Sequence, residues 1–343
     1  MSARRPSIHD IARQAEVSVA TVSRVLNDKP DVSPETRDRV RTVLESAGYQ
    51  LNRAAVSLST GRTSLIALVL GELTAFSETV EIERAIVRRA AEVDYGAVLW
   101  LSDLDTKREA RYADLLTLGS VDGAIVAAIR EEGPLLERLG DKTLPLVLVE
   151  PKDVTPGLTS VRTDHRRAAE LAMEHLLELG HRRIGLVTLR EGWAMGVQQL
   201  DGYRSALRAA GVSLDESLVV RHLWWEEMGY EAGHRSGLEL LGLAEPPTAI
   251  VTCGDNVALG VMDAARSLGK RVPADLSLVG YDDIPMAASM RPGLTTLRRR
   301  AARLGEMAAE TLFRLIDGDE GVQDEILIPT ELEVRGSTGP PPS

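Results

Sequence analysis

Arg24 closes the run Val19-Ala20-Thr21-Val22-Ser23-Arg24. An arginine on a helix can donate two hydrogen bonds to guanine O6 and N7, worth roughly 1–3 kcal/mol of discrimination against the wrong base. Val19 and Ala20 are small enough to let such a helix approach closely and touch a thymine methyl. A second set of chemical groups lies further along the chain. Asp282 follows Val279-Gly280-Tyr281, Asp255 follows Cys253-Gly254, and Glu150 ends the run Leu144–Val149. Carboxylates accept hydroxyl protons, and an aromatic ring can lie under the apolar face of a sugar. Trp193 and either Trp224 or Trp225 supply such rings. Asp282 could instead cap the next turn, and Asp255 could equally cap a helix that starts near Asn256.

Other reactive side chains point elsewhere. Cys253 has no paired base and orienting acid around it and reads as a small core residue. His175 and His181 are six residues apart and fit helix and turn roles better than metal ligation. Arg298-Arg299-Arg300 reads as a solvated charge run. No GxGxxG or GxxxxGK[ST] pattern supports a nucleotide-phosphate loop. No cofactor and no metal is expected.

The elements that would position Arg24 are short helices. Ser7 with Asp10 three residues later makes a weak capping box. Ile8, Ile11, Ala12 and Ala15 then recur at helix spacing. Ser18 can cap a second helix with Val22, Val25 and Leu26 facing inward. Asn27 to Pro30 breaks it. Ser33-Pro34 starts a third, with Val40, Val43, Leu44 and Ala47 inward and Gly48 at its end. Three short helices with a tight first turn make a helix-turn-helix unit, whose second helix enters the major groove. A plain three-helix bundle with a solvated arginine fits the same pattern.

Charge separates this head from the body. Residues 1–62 hold 10 basic and 7 acidic side chains, a net +3, and the remainder holds 30 and 44, a net −14. DNA would be approached by the head and would repel the body. The 343 residues are 44% hydrophobic, enough for large cores, and the lone cysteine excludes an internal disulfide or a cysteine-based zinc site. No apolar run approaches the roughly 18 residues a membrane span needs. No secretory signal is read, so a reducing cytoplasm fits best.

In the body, apolar runs at 65–70, 97–101, 124–129, 144–149, 184–189, 249–252 and 276–279 alternate with helical stretches. That alternation is the signature of doubly wound parallel sheets. Seven such units suggest two lobes, with a ligand at the carboxyl ends of the strands and between the lobes.

The motifs Ser7-Ile-His-Asp-Ile-Ala12, Val17-Ser-Val-Ala-Thr-Val-Ser-Arg-Val-Leu-Asn27, Val32-Ser-Pro-Glu-Thr-Arg37 and Ala47-Gly-Tyr-Gln-Leu-Asn-Arg53 resemble the head of the lac/galactose repressor family. Further landmarks extend the resemblance over nearly the whole chain. They are Val121-Asp-Gly123, Leu179-Gly-His-Arg-Arg-Ile184, Gly202-Tyr-Arg-Ser-Ala-Leu207, Asp255-Asn-Val-Ala-Leu-Gly260, Val279-Gly-Tyr-Asp-Asp283 and Leu294-Thr-Thr296.

The resemblance implies an all-α helix-turn-helix head at 1–50, a hinge helix at 51–62, and a two-lobed periplasmic-binding-protein-like α/β core at 63–336 crossed three times by the chain. The expected lobes are 63–160 plus 293–323 and 161–292 plus 324–336, with 337–343 a disordered tail. Val19, Ala20 and Arg24 would read bases, and Thr21, Ser23 and Asn27 would hold phosphates or position the helix. Leu58 would wedge a central base step in the minor groove, with Asn52 and Ala55 flanking it. Such wedging costs a few kcal/mol and permits a bend. Asp282 matches an effector position of the family.

Three departures stand out. Glu16 occupies a turn position where the family usually has glycine, and Leu51 replaces the proline before the hinge. Gln199 replaces an arginine that binds effector oxygens, which keeps hydrogen bonding but loses the charge and the rigid fork. The expected protein is a cytoplasmic, nucleoid-associated repressor and not an enzyme. It would act as a homodimer on double-stranded, pseudo-palindromic operator DNA, released by a mono- or oligosaccharide between the lobes. The Gly/Pro-rich end cannot form a tetramerising heptad helix. A regulator activated by a corepressor (a purine or a phosphoprotein) and a sugar-binding protein without specific DNA binding remain the alternatives.

Overall fold

The structure is a computed structural model that describes residues 6–26, 29–49, 61–71, 77–127, 133–139, 144–151, 157–190, 193–223 and 229–342. The chain divides into two compact units, Met1–Thr63 and Ser64–Ser343.

The first unit holds helices α1 (Ile8–Gln14), α2 (Val19–Leu26) and α3 (Pro34–Ser46). Each start has its cap. Ser7 and Asp10 form a reciprocal capping box on α1, the Thr21 amide donates to Ser18 Oγ at 3.1 Å, and the Thr36 amide donates to Ser33 Oγ at 3.3 Å. Such caps are typically worth ~1 kcal/mol each. Ile11, Ala12, Ala15, Val22, Val25 and Val40 form the buried centre. Glu16 holds a left-handed φ of +52° in the turn between α1 and α2, at a cost of about 1–2 kcal/mol for a residue with a Cβ. Gly48 takes φ +58° after α3, where glycine incurs no such cost. The hinge residues 51–60, among them Asn52, Ala55 and Leu58, lie outside the described residues, as does Asn27.

The second unit runs β1 (Leu65–Leu70), α4 (Ser77–Glu92), β2 (Gly96–Leu101), α5 (Thr106–Thr117), β3 (Gly123–Ala127), α6 (Pro134–Leu139), β4 (Leu146–Val149) and β5 (Thr159–Thr163). It continues with α7 (His165–Glu178), β6 (Ile184–Leu189), α8 (Ala194–Ala209), β7 (Val219–Leu223), α9 (Tyr230–Leu241), β8 (Ala249–Thr252), α10 (Asp255–Ser267) and β9 (Ser277–Asp282). The last elements are α11 (Pro285–Ser289), β10 (Thr295–Arg298), α12 (Ala301–Ile316), β11 (Glu325–Ile328) and β12 (Glu331–Glu333).

They build two six-stranded sheets, ordered β11-β5-β4-β3-β1-β2 and β12-β10-β9-β8-β6-β7. All recorded pairings are parallel except β10 with β12. Central strands such as Leu65–Leu70 and Leu146–Val149 are apolar throughout because helices cover both faces. The edge strand β2 leaves Leu99 half-exposed. In the first sheet α4 packs against α12, and α5 against α6; in the second α7 pairs with α8, and α9 with α10.

The chain passes between the sheets three times, at β5 to α7, β10 to α12 and β11 to β12. The three crossings match expectation, but the boundaries shift. Residues 161–163 and 325–328 belong to the first sheet, and 295–298 to the second. Short polar strands such as Thr159-Ser-Val-Arg-Thr163 carry no hydrophobic run to announce them.

The expected disordered tail is ordered over 337–342. Buried Ser337 accepts from the Thr295 amide at 2.8 Å and donates to the Leu278 carbonyl at 2.6 Å. The Leu278 amide donates to the Ser337 carbonyl, so the tail ties β9 to β10. His181 contacts the Gly339 carbonyl at 2.9 Å, and His175 contacts Thr338 Oγ1 at 3.0 Å. The tail has no regular structure, and the backbone groups of Ser337 and Gly339 pair instead with Leu278, Ser277 and His181.

Candidate functional site

On α2, Ala20 and Arg24 are exposed, and Val19, Thr21 and Ser23 are half-buried. Val22 and Val25 face the core, so the opposite side of the helix carries Ala20 and Arg24. Thr21 Oγ1 lies 2.9 Å from Ser18 Oγ, which keeps its hydroxyl at the start of the helix. Arg24 Nε sits 3.2 Å from Asp31 Oδ2, both side chains more than half exposed. An exposed pair of this kind is worth ~0–1 kcal/mol. Arg24 can therefore exchange Asp31 for another acceptor at small cost.

The second cluster lies where the two sheets of the core meet. Glu150 follows β4 and Asp282 ends β9, at the carboxyl ends of strands from different sheets. Both adopt left-handed backbones, with φ +48° and +103°, and Asp283 follows at +58°. Non-glycine residues held this way cost on the order of 1–3 kcal/mol each and tend to gather at functional sites. Side-chain bonds hold the turn. Asp283 accepts from Arg298 Nε at 2.7 Å and from Arg335 Nη2 at 2.6 Å.

Arg299 stands between the two carboxylates. Its Nη2 donates to Glu150 Oε1 at 2.6 Å and its Nη1 to Asp282 Oδ1 at 3.3 Å. Thr163 adds its amide and hydroxyl to Glu150, the hydroxyl at 2.5 Å. Burial alone would raise the Glu150 carboxyl. The charges of Arg299 and His165, with the bonds from His165 and Thr163, outweigh it and hold Glu150 well below the usual carboxylate range. Glu150 is thus an ionised acceptor. Arg299, whose side chain is 8% exposed, corrects the expectation that Arg298–Arg300 is a solvated run; Arg298 and Arg300 are indeed nearly half exposed. Its position just past the strand after Leu294 was the available signal.

The capping reading of Asp255 does not hold: Asp255 is the first residue of α10, whose N-cap is Gly254 with no side-chain cap bond. Asp255 is buried, and its oxygens accept from the Ile284 amide at 2.8 Å and from Thr296 Oγ1 at 2.6 Å. A Cβ at Gly280 would collide with this carboxylate. Burial, partly offset by these bonds, pushes Asp255 up to about 7. It braces the turn that presents Asp282. Gln199 is buried on α8, with Oε1 accepting from Thr188 Oγ1 at 2.7 Å. Trp193 precedes α8 and packs partly against the second-sheet core. Trp224 lies outside the described residues. Cys253 is buried, its thiol pushed by that burial up to about 12, which fits a core residue. Among the described residues no group of three or more His, Cys, Asp or Glu could hold a metal, and no helix is long and apolar enough to cross a membrane.

Comparison with known proteins places these two sites in one context. Residues 7–52 match the family described as bacterial regulatory proteins, lacI family, and residues 173–338 match the periplasmic binding protein-like domain. The HTH-type transcriptional regulator DegA of Bacillus subtilis (strain 168) is 32% identical, over 98% of this chain and 99% of the relative. The lac repressor dimer bound to operator and the anti-inducer ONPF superposes with a TM-score of 0.84 at 27% identity, over 98% of this chain and 100% of that one. The CelR–cellobiose complex superposes at 0.73 and 30% identity, over 97% and 100%. With a helix-turn-helix head, a two-lobed α/β core and relatives matched end to end, the chain belongs to the LacI family of bacterial DNA-binding transcription regulators.

Proposed function

We propose that the protein is a homodimeric repressor that reads a pseudo-palindromic operator through α2 and is released by a sugar bound between the lobes of its core. Val19, Ala20 and Arg24 would contact base edges. Thr21, Ser23 and Asn27 would contact phosphates or fix the helix. Asn52, Ala55 and Leu58 would engage the minor groove. The observation that carries the effector half is the placement of Glu150 and Asp282. They stand at strand ends of facing sheets and share Arg299. Hydroxyl groups of a sugar are donors suited to such acceptors. Gln199, Trp193 and Trp224 would complete the walls, and Asp255 would brace the turn beneath. The CelR structure, solved with cellobiose, supports the ligand class by likeness. The protein would act at the bacterial chromosome in the cytoplasm.

The switch is a coupling between sites. Effector binding changes the lobe arrangement, that arrangement favours or disfavours paired hinges, and the hinges set operator affinity. Such couplings are typically 1–3 kcal/mol and reciprocal, so operator must weaken sugar binding by the same factor. The test is operator release by a panel of mono- and disaccharides. One sugar should release the wild type, and Asp282→Ala should keep operator affinity while losing the response. A sugar that releases Asp282→Ala as well removes this carboxylate from the site. Tightening by a purine instead of release by a sugar favours the corepressor form.

A further inference from the structure

Two small hydrogen-bonded clusters meet where the chain passes between the lobes. The first belongs to the first sheet and the β10-to-α12 crossing. Glu150 accepts from Thr163 Oγ1 at 2.5 Å and from Arg299 Nη2 at 2.6 Å. The second belongs to the second sheet and the β5-to-α7 crossing. His165, the first residue of α7, has Nδ1 2.5 Å from the Tyr281 hydroxyl, next in sequence to Asp282. The joints between the clusters are longer. Arg299 Nη1 reaches Asp282 Oδ1 at 3.3 Å, and His165 Nε2 reaches Glu150 Oε2 at 3.3 Å. The Arg299 guanidinium also lies 6.0 Å from the centre of the Tyr281 ring, at the outer edge of a cation–π contact. A carboxylate only accepts, so His165 Nε2 is the donor toward Glu150.

The geometry points to a latch. We propose that Arg299 and His165, one on each of two crossings, are positioning residues that set the angle between the lobes through their joints to Asp282 and Glu150. Each cluster moves with its own lobe on its short bonds. A change of lobe angle stretches or shortens the two 3.3 Å joints without breaking the clusters. Charge-assisted bonds normally run at about 2.7–2.9 Å, so both joints have room to tighten. Arg299 thereby acts on the effector through Asp282 and Glu150, which deepens the proposed cleft function and rests on it for what the lobe angle controls.

The test needs neither DNA nor effector, so it can fail while that function stands. Spin labels are placed on Leu118→Cys after α5 and Leu268→Cys after α10, both exposed, with the buried native Cys253 left in place. Labelled full-length chain is diluted into unlabelled chain so that each assembly carries one labelled copy, and the interlobe distance is measured by double electron–electron resonance. Wild type should show one dominant distance. Arg299→Met and His165→Leu should each raise an alternative distance from a minor population below about 10% to a comparable one. Arg299→Lys, which keeps the charge and loses the fork, should fall between. Unchanged distances in folded Arg299→Met and His165→Leu, even with a lowered Tm, would make these residues structural only and overturn the latch. Should Arg299→Met not fold, His165→Leu, which leaves the Arg299 ion pairs in place and removes one joint, decides alone.

Discussion

Replacing Asp255 by asparagine isolates the electrostatics of the turn behind Asp282. Asp255 is 1% exposed, and burial raises its carboxyl from 3.8 to about 7 against the pull of Thr296 and the Ile284 amide. An aspartate whose folded pKa lies above its unfolded value takes up a proton on folding between the two. Stability then falls as pH climbs through that interval and levels off above about 7. The slope is roughly 1.4 kcal/mol per pH unit, so wild type should lose about 2–3 kcal/mol relative to Asp255→Asn between pH 5 and 7. Asparagine keeps an acceptor for the Ile284 amide, and its NH2 can donate to Thr296 Oγ1. His175 and His181 act in the opposite direction. Burial lowers both, so their stability contribution is lost as pH falls through the ordinary histidine range. Both proteins share them, and they cancel in the difference. The assay is urea unfolding of both full-length proteins, followed by fluorescence at half-unit steps from pH 5 to 8. A difference that stays flat across this range would refute the claim that burial outweighs the hydrogen bonds at Asp255.

Arg24→Ala should relax base preference within each operator half-site, at about 1–3 kcal/mol, as read by competition between variant duplexes; equal weakening on every sequence would make Arg24 a phosphate contact. Deleting residues 336–343 removes the Ser337 bridge between β9 and β10 and the partners of His175 and His181, so the core's Tm should fall by several degrees. An unchanged Tm would return the tail to the status of loose chain. Gly233→Ala places a Cβ against the Val257 carbonyl, where α9 and α10 pack closely. It should destabilise the core by ~1–3 kcal/mol in urea unfolding, and a neutral result would mean that the helices can part without cost.

The head was the most legible part of the sequence. Its caps, apolar spacing and turn residue are local signals, and Ser7, Ser18, Ser33 and Gly48 all do in the structure what their types suggest, while Glu16 takes the left-handed turn in spite of its type. The apolar strands of the core were legible for the same reason. What escaped was set by partners far along the chain. Thr159–Thr163, Val219–Leu223 and the short strands near the C-terminus form because a sheet edge is offered to them. Arg299 reads as one of three equivalent arginines until Glu150, 149 positions away, is folded beside it. Asp255 shows the same limit: its type allows a ligand contact or a helix cap, and only the placement of Ile284 and Thr296 reveals the brace it forms. Ser337 reads as loose tail because nothing local reveals the Thr295 amide and Leu278 carbonyl that it bridges.

The most direct test of the account is selection of bound duplexes from random DNA by the purified full-length protein at a stated salt concentration, since phosphate contacts make affinity strongly salt-dependent. The account predicts enrichment of a pseudo-palindrome whose half-sites carry the guanine contacted by Arg24 about a helical turn, or a multiple of it, apart. Recovery of no preferred sequence from correctly folded protein would contradict a sequence-reading head and with it the proposed repressor.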